Sequence, residues 1–478
     1  MSADRHSPRL TVQQAHSQIS SGAHQAYPAS ARKKGVATNN LERVFSTIVT
    51  VDRPSTGDIA ELLGLSAGTV SGLVKKLEER RFVSISDGRA TSHGRRPKPV
   101  VVDRRTHHTI GFEVSADKVV GVVMNLAGEP VRTQVADMGD SVWTGGEPHK
   151  GWVDEDQVVD TIRGLFHSLE DQLLDYIQKR HPDVLDEGWN PVIGIGVSLG
   201  GHINRHTGEV LFAPDLRWGA ARRRSGRWGP VVRLRQRIRD VTGVDKNSIV
   251  VDNDANGRAA AYQLYGGGAY FNDAPFTVVL ITDVGVGAAH FIDHEIYRGA
   301  TGKSLELGNI MVKPDGFPCR CGDRGCLEAM STRQAILSPL AVDSLDEARE
   351  LAAAGDASSI RAFSQAGTYL GTGLSTLVDL LDTSRIVLTG PAITRVEGAT
   401  PVVFDRHYDH AMREAIQDHA YGRGIEPDSV EVVEETGEWN GARGAACLVV
   451  HDMITGHTGQ LGSPKPAGRP GRCDERKY

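Results

Sequence analysis

The 478-residue sequence contains few cysteines and lacks a long apolar run. It has five cysteines, three of them within the eight residues 319–326, so a scaffold held by disulfides is not expected. No apolar run approaches the ~20 residues that a membrane-spanning helix requires. The N-terminal residues are polar and contain no signal-like apolar segment. These features favour a cytoplasmic protein without a membrane partner.

The composition is that of an ordinary globular protein, with 39% hydrophobic and 24% charged residues. A chain of this length is expected to form two or three domains, each with its own core. The pattern of segments predicts four regions. They are a polar, mostly disordered tail at 1–38, a small helical domain at 39–104, a large α/β domain at 105–454, and a flexible tail at 455–478.

Charge is distributed unevenly between the small domain and the rest. Residues 1–110 contain 17 Lys and Arg against 9 Asp and Glu, whereas the remaining residues contain 37 against 51. A basic head on an acidic body is typical of a protein whose head binds a polyanion. A chance excess of positive charge on a solvated surface is the alternative. The basic run at 32–34 either lies along phosphates or belongs to a loose tail.

The small domain begins with three predicted helices. Apolar residues at 41, 44, 45 and 48 share one helical face, and Ser55 with Asp58 forms a capping signal for a second helix. Gly64 permits a tight turn before a third helix capped by Ser66. Two short helices joined by such a turn predict a helix-turn-helix. A small helical domain that binds proteins is the alternative.

The third helix has small or polar outward positions and is followed by two short strands with a basic loop between them. This arrangement predicts a wing beside a helix that can enter a major groove. We expect the helix and the wing to contact double-stranded DNA. The predicted DNA-binding residues are Ser66, Ala67, Gly68, Thr69, Ser71, Lys75, Arg89, Arg95, Arg96 and Lys98.

The large domain contains two similar strand–turn–strand segments, at 109–133 and 276–298. Amphipathic stretches near 156–180, 228–242 and 358–381 supply helices that cover the strands. A strand–turn–strand unit that occurs twice, with covering helices around each copy, indicates two similar α/β lobes. The predicted fold class is therefore α/β, with an N-terminal winged helix-turn-helix before a two-lobed body.

Two motifs carry a resemblance to a known family. The segment 319–328 reads Cys-Arg-Cys-Gly-Asp-Arg-Gly-Cys-Leu-Glu, and Asn253-Asp254 lies upstream of it. Together they resemble the ROK family of repressors, open reading frames and kinases, over roughly residues 109–454. The resemblance implies the actin-like ATPase fold of hexokinase-type proteins. The head, with its Gly94-Arg95-Arg96-Pro97 element, resembles the winged head of ROK repressors.

The expected phosphate-binding turns depart from the family pattern. ROK kinases have Asp-x-Gly-Gly-Thr in the first hairpin, where this chain has Glu113 to Asp117 without glycine. The second hairpin keeps Gly285 and Gly287, which we interpret as a tight turn, but has Asp283 at a usual glycine position. Pro391 replaces one glycine of a later Gly-Gly turn. Carboxylates at these positions repel a triphosphate, so we expect no ATP and no kinase activity.

The sugar side matches the family better. The resemblance makes Asp254 a vestigial general base, because the matching kinase aspartate takes a proton from a sugar hydroxyl. Trp218, after Arg217, lies either in a closing loop or in the core, and Glu328 is either a sugar contact or an exposed helical residue. The predicted effector-binding residues are Gly201, Asn253, Asp254, Glu306, Asn309 and Glu328.

The three clustered cysteines, Cys319, Cys321 and Cys326, suit one Zn²⁺ but supply only three ligands. The family places a zinc-binding histidine where this chain has Asn309, and an amide is a poor zinc ligand. Water or a distant histidine such as His290 are the candidates for the fourth ligand. Three reduced thiols that hold a loop by packing are the alternative to zinc.

The sequence therefore predicts a DNA-binding transcriptional regulator, most simply a repressor of carbohydrate-related genes, with a sugar effector in a degenerate kinase cleft. We expect a homo-dimer or tetramer, because two heads then meet two half-sites. An ATP-dependent sugar kinase is the first alternative. A regulator that has lost its small-molecule ligand is the second, since Asn309 replaces the family histidine.

Overall fold

The small N-terminal domain, which we call the head, has three helices and a two-stranded sheet. The computed structural model describes residues 11–15, 17, 40–86, 98–139, 153–185, 189–219, 230–266, 274–393, 405–421, 429–435 and 437–457. The head elements are α1 (Asn40–Thr50), α2 (Thr56–Leu63), α3 (Ala67–Glu79), β1 (Val83–Ile85) and β2 (Val100–Val102), and the two strands pair antiparallel.

Local signals fix where the head helices begin and end. Ser55 and Asp58 form a capping box, in which the Ser55 hydroxyl accepts from the Asp58 amide and the Asp58 carboxylate accepts from the Ser55 amide. Gly64 ends α2 with a φ of 63°, a conformation that favours glycine. The Ser66 hydroxyl accepts from the Thr69 amide and starts α3. These details agree with the predicted helix-turn-helix.

A short helical segment lies within residues 1–38, the region that the sequence predicts to be mostly disordered. Residues 12–15 are helical, and Ala15 is fully buried. Ala15 packs with Val51 and Leu62 of the head in a small apolar cluster. The sequence has no apolar period in this segment, so it does not predict that Ala15 packs against the head.

The body contains two five-stranded mixed sheets, which define the first and the second lobe. In spatial order the first is β10 (Ile249–Asn253), β6 (Val192–Leu199), β3 (His108–Val114), β4 (Lys118–Asn125) and β5 (Pro130–Asp137). The second is β15 (Val430–Val432), β14 (Arg385–Thr389), β11 (Phe276–Ile281), β12 (Val286–Ile292) and β13 (Glu295–Ile296).

Helices cover both sheets, and a third, three-stranded sheet lies beside the first lobe. The small sheet consists of β7 (His202–Asn204), β8 (Glu209–Ala213) and β9 (Trp218–Gly219). The body helices are α4 (Glu155–Arg180), α5 (Leu234–Thr242), α6 (Asp254–Tyr265), α7 (Leu327–Ser331), α8 (Arg333–Leu337), α9 (Leu345–Ala353), α10 (Ala357–Leu381), α11 (Arg406–His419) and α12 (Asn440–Ile454). None of the described helices is both long and apolar enough to cross a bilayer.

Helices α6 and α12 pack against each other. The contact is close because it is made at glycines: a Cβ added to Gly257 would lie 3.1 Å from the Gly444 carbonyl carbon. Helix α12 also packs against β3 and β6 of the first sheet and against the head helix α1. These two helices therefore connect the interior of the body with the head.

The head and the body share one hydrophobic core. Phe45 and Ile48 of α1 belong to the same buried cluster as Leu448 and Met453 of α12. Just beyond α12, a Cβ added to Gly456 would lie 3.1 Å from the carboxylate of Glu42, which is itself buried. The head is thus packed onto the body over a continuous apolar surface.

A second junction holds the end of α3. The His107 ring stacks on Phe82 with centroids 4.3 Å apart, and its Nε2 lies 2.9 Å from the Arg80 carbonyl oxygen. The Thr106 hydroxyl donates to the Arg81 carbonyl oxygen at 2.6 Å. Burial lowers the pKa of His107 to about 4, although the Arg80 carbonyl opposes the shift. The ring is therefore neutral at pH 7.

Candidate functional site

Asn253 and Asp254 lie where β10 ends and α6 begins. The Asn253 side chain caps α6 by accepting from the Ala255 amide, and its Nδ2 donates to the Gly201 carbonyl oxygen at 3.0 Å. Gly201 has a φ of 143°, and a Cβ there would collide with the Phe212 carbonyl oxygen. The structure thus brings together three of the predicted effector residues, with the amide of Asn253 fixed by backbone groups.

Asp254 faces a second carboxylate across a glycine. A Cβ added to Gly200 would lie 3.5 Å from Oδ2 of Asp254 and 3.9 Å from Oδ2 of Asp215. Burial raises the pKa of Asp254 from 3.8 to about 6; Arg258 opposes this shift, and the charges of Glu113 and Asp215 add to it. Asp254 is therefore a strong acceptor for a hydroxyl at pH 7 and protonates near pH 6.

Arg320 links Asp215 to Glu328. Its Nη1 pairs with Asp215 and its Nη2 lies 3.4 Å from Oε2 of Glu328. Glu328 is 9% exposed, and its Oε1 accepts from the Cys319 thiol at 3.0 Å. Burial raises the pKa of Glu328, and the positive charge of Arg320 opposes this shift. Glu328 is thus buried in an ion-pair network, which excludes the interpretation as an exposed helical residue.

The second hairpin approaches the same carboxylates. A Cβ added to Gly285 would lie 3.1 Å from Nη2 of Arg320, and one added to Gly287 would lie 4.0 Å from Oδ1 of Asp254. Our interpretation of these glycines as a tight turn alone was incomplete, because they also leave room for the charged side chains. We call Asp215, Asp254, Arg320 and Glu328, with the glycines at 200, 285 and 287, the cleft.

Glu306 and Asn309 form a pair near one end of the cleft. Nδ2 of Asn309 donates to Oε2 of Glu306 at 3.1 Å, and both residues are exposed. Gly308, between them in the short helix Leu307–Asn309, would place an added Cβ 3.2 Å from Oε2 of Glu328. The turn therefore borders Glu328, and the Asn309 side chain forms its hydrogen bond with Glu306.

The cysteine cluster lies next to Glu328. The ligand atoms of Cys319, Cys321 and Cys326 all lie within 4.8 Å of one another, and the Sγ atoms of Cys321 and Cys326 are 3.6 Å apart. Tetrahedral zinc with Zn–S bonds of ~2.3 Å places sulfurs ~3.8 Å apart, so three thiolates fit as ligands. Among the described residues, no fourth His, Asp or Glu joins this group.

His290, named above as a candidate fourth ligand, is buried away from the cysteines. Its Nδ1 lies 2.9 Å from the Thr277 hydroxyl, and the ring is 1% exposed between strands of the second sheet.

Trp218 is a core residue. It is 2% exposed, and its Nε1 donates to the Val153 carbonyl oxygen at 2.8 Å. The structure therefore places Trp218 in the core and not in a closing loop.

A second ion-pair network lies between the lobes, and sequence reasoning missed it. Arg258 of α6 pairs with Glu113 of the first sheet at 3.1 Å and with Glu435, which follows the second sheet, at 2.7 Å. Arg258 is 7% exposed, and Thr389 donates to Glu435 at 3.1 Å. A Cβ added to Gly441 would collide with the Glu113 carboxylate. We call Glu113, Arg258 and Glu435 the inter-lobe triad.

On the head, α3 presents one buried and one exposed face. Val70, Val74 and Leu77 are buried. The residues of this helix and its cap that are predicted to contact DNA are all exposed, and this placement is compatible with a helix that enters a groove. They are Ser66, Ala67, Gly68, Thr69, Ser71 and Lys75.

The predicted wing is described only in part. The strands β1 and β2 pair as expected, and Lys98 is exposed just before β2. The loop residues Arg89, Arg95 and Arg96 lie outside the described residues. Their contact with DNA stays a prediction.

Comparison with known proteins decides the family. Residues 166–452, well over half of the chain, match the model of the ROK family. The chain belongs to the ROK family. The family match covers the cleft residues, the cysteine cluster and two members of the inter-lobe triad.

Two curated ROK relatives match different extents of the chain. The xylose repressor of Bacillus subtilis is 24% identical over 410 residues, which cover 84% of this chain and 93% of the repressor. Because only 374 residues follow residue 104, this similarity extends into the head. The glucokinase of Streptomyces coelicolor is 27% identical over 222 residues, which cover 42% of this chain and 64% of the glucokinase.

A solved structure agrees with the fold. The crystal structure of a ROK family transcriptional regulator, a homologue of the Escherichia coli Mlc protein, has a TM-score of 0.62 with this chain at 19% sequence identity. The match covers 88% of this chain and 98% of the regulator. A match of this extent includes the two-lobed body and reaches into the head, and the predicted fold class is confirmed.

Proposed function

We propose that this chain is a DNA-binding transcriptional repressor of carbohydrate-related genes whose operator affinity depends on a sugar bound in the cleft. The observation that carries the proposal is the polar, exposed face of α3 in a head that shares its core with the body. A helix of this kind, capped at its start and followed by paired strands, suits a major groove. The relatives with which the chain shares its head are a repressor and a transcriptional regulator.

The proposed sugar contacts follow from the cleft. Asn253, with its amide fixed on Gly201, orients Asp254 at the start of α6. Asp254 and Glu328 accept hydrogen bonds from sugar hydroxyls, and Glu306 with Asn309 completes the site from the second lobe. Contacts from both lobes make effector affinity depend on the lobe angle, so effector binding shifts that angle. In a dimer, the change alters the spacing of the two heads.

The turn of the first hairpin argues against an ATP-dependent reaction. The kinase pattern Asp-x-Gly-Gly-Thr matches Glu113 to Asp117, so Glu113 stands at the kinase aspartate, whereas Ser115 and Ala116 replace the two glycines and Asp117 replaces the threonine. A triphosphate at this turn would meet an added carboxylate and would lack the glycines that let backbone amides approach it. Both differences oppose nucleotide binding.

Zinc is the metal that the cysteine cluster suits. Three thiolates from Cys319, Cys321 and Cys326 would hold it, with water as the fourth ligand. Bound zinc would fix the loop that carries Arg320 and leads into Glu328. Its role in this proposal is therefore to shape one wall of the cleft.

Selection of DNA sequences by the purified full-length chain tests the proposal. We expect enriched sequences with two half-sites, a mobility shift at low salt, and a loss of affinity in the Lys75→Ala and Lys98→Ala variants. Lys179→Ala, an exposed charge on α4, is the matched control and should leave the shift unchanged. Absence of any shift at low salt would contradict the proposal.

The alternative is a ROK sugar kinase, which Asp254 favours through its position at the start of α6 and its raised pKa. Turnover of ATP against hexoses and N-acyl-hexosamines distinguishes the two functions. A kcat in the usual range of ~1–100 s⁻¹ would establish the kinase. We expect no turnover above that of the Asp254→Asn variant.

A further inference from the structure

The three clustered thiols have different surroundings. Cys319 is buried, and its thiol donates to Oε1 of Glu328 at 3.0 Å. The same Sγ accepts from the Cys321 amide at 3.4 Å. The Sγ atoms of Cys321 and Cys326 lie 3.6 Å apart. Cys319 is therefore held by a carboxylate and a backbone amide, whereas Cys321 and Cys326 are close enough to react with each other.

The two cysteines of this pair differ in exposure and in support. Cys326 is 2% exposed, directly precedes α7 and pairs through its backbone with Met311. Cys321 is half-buried and lies in a turn closed by the Gly322 amide, which donates to the Cys319 carbonyl oxygen at 3.0 Å. An accessible thiol beside a second thiol that can resolve it is typical of redox-sensing sites.

The set of metal ligands leaves these thiols open to an oxidant. Among the described residues, no His, Asp or Glu joins the three cysteines, and the Asn309 amide donates to Glu306. A zinc site with four protein ligands is closed, whereas a site with three keeps one coordination position open. An oxidant can therefore reach the sulfurs in the presence of zinc as well as in its absence.

We propose that Cys321 and Cys326 are a redox-active pair, which hydrogen peroxide converts to a disulfide, and that this bond displaces Arg320. Peroxide oxidises the Cys321 thiol to a sulfenic acid and leaves as water. The Cys326 thiol then attacks this sulfur and releases a second water. Two thiols and one peroxide thus give one disulfide and two waters. Zinc held by these sulfurs is released, because only a thiolate is a ligand.

Arg320 connects the pair to the first lobe. It directly precedes Cys321, and its guanidinium pairs with Asp215 through Nη1 and lies 3.4 Å from Glu328 through Nη2. Cys326 is fixed at the start of α7. Closing the gap of 3.6 Å to the ~2.05 Å of a disulfide therefore moves the turn that carries Cys321 and Arg320. The ion pair between Arg320 and Asp215 is weakened as a result.

Peptide mapping of the full-length chain after treatment with hydrogen peroxide tests the pair. Trypsin cleaves after Arg320 and Arg324, so the three cysteines lie on separate peptides and each pairing has its own mass. We expect a crosslink between peptides 321–324 and 325–333, and its loss after reduction with dithiothreitol. A crosslink to the peptide that contains Cys319, or three unpaired cysteines, would overturn the assignment.

Cys447 is the internal control. It is fully buried in α12, with its Sγ 3.8 Å from Sδ of Met124. We expect Cys321 to be oxidised about tenfold faster than Cys447, because reactivity follows exposure. The Cys447→Ser variant should form the crosslink as the wild type does. Cys326→Ser should leave a sulfenic acid at Cys321 that dimedone traps. Equal rates at Cys321 and Cys447 would contradict the proposed pair.

Hydrogen exchange measures the displacement of Arg320. In the oxidised chain we expect the backbone amides of 215–219 to exchange about threefold faster than in the reduced chain, because Asp215 has lost its partner. Cys326→Ser under the same treatment should show no change, and the amides of α4 are the control segment. Unchanged exchange at 215–219 in a chain that carries the disulfide would overturn the proposed displacement. None of these measurements requires DNA or a sugar, so they are independent of the proposed function.

Discussion

The strands of the two lobes have the same order, with three parallel strands followed by two antiparallel ones in each sheet. Their surroundings differ. In the first lobe, His107 just before β3 holds the head, and Glu113 near the end of that strand enters the inter-lobe triad. In the second lobe, the hairpin after β11 makes room for Arg320 and Asp254.

This difference indicates how one fold serves two purposes. The framework of sheets and connecting helices is common to both lobes, whereas function depends on a few side chains at strand ends. In the first lobe those side chains fix the position of the head and of the neighbouring lobe. In the second lobe the hairpin after β11 shapes the cleft together with Asp254, which follows β10 of the first lobe.

The largest expected effect comes from breaking the inter-lobe triad. Arg258→Met leaves Glu113 and Glu435 without their shared cation, and we expect the free energy of unfolding to fall by about 3 kcal/mol. Chemical denaturation measures the loss. Arg237→Met removes surface pairs of α5 and is the control, with an expected loss below about 1 kcal/mol. Equal effects of the two substitutions would mean that the triad adds nothing to the fold.

The junction between head and first lobe should be acid-sensitive. His107 has a lowered pKa of about 4 against an ordinary 6.5, so the unfolded chain binds the proton more readily. Stability is therefore full above pH 6.5 and falls as the pH drops toward 4, by up to about 3 kcal/mol from this residue. His107→Phe should flatten this part of the pH profile, although His108 retains its own contribution.

Denaturation at several pH values measures the two profiles. His206→Phe, at an exposed position between β7 and β8, is the matched control and should follow the wild type. A wild-type stability that stays constant between pH 6.5 and 4 would contradict the assignment of a buried, neutral ring.

At Asp254 in the cleft, the free energy of unfolding should depend on pH in the opposite direction. Asp254 has a raised pKa of about 6 against 3.8, so its ionisation opposes folding as the pH rises through that window. Asp254→Asn should raise the free energy of unfolding by about 2 kcal/mol at pH 7, with little gain at pH 4. The same variant should lose sugar binding by calorimetry. A variant that is less stable at pH 7 would show that Asp254 is a structural residue.

The smallest change in the free energy of unfolding is expected at the turn of the first hairpin. Lys118→Met removes an exposed pair with Glu438 at 3.4 Å, and we expect a change below about 0.5 kcal/mol. Gly285→Ala, in the corresponding turn of the second lobe, crowds Arg320 and should weaken sugar binding several-fold. If both substitutions leave sugar binding unchanged, the contrast between the two hairpins has no functional consequence.

Much of the head could be predicted because its signals are local. The capping box at Ser55 and Asp58, the turn at Gly64 and the apolar face of α3 each depend on residues within a few positions of one another. The two hairpins of the body were predictable for the same reason. The cysteine cluster was visible as a spacing, and Asn253 was found because the family motif marks it.

The ion-pair networks could not be predicted, because their members are far apart in sequence. Arg258 lies 145 residues from Glu113 and 177 residues from Glu435, and Arg320 lies 105 residues from Asp215. Such charges look like ordinary surface residues until the fold brings them together. The docking of α1 on α12 was missed because an apolar helical face predicts burial but not its partner.

The core that runs from Phe45 into Met453 has a consequence for protein engineering. A fragment cut at residue 104 would expose the apolar side of α1 and should aggregate or unfold. Grafting this head onto an unrelated sensor would meet the same difficulty. New operator preferences are therefore best sought by replacing the solvent-facing residues of α3 within the intact polypeptide.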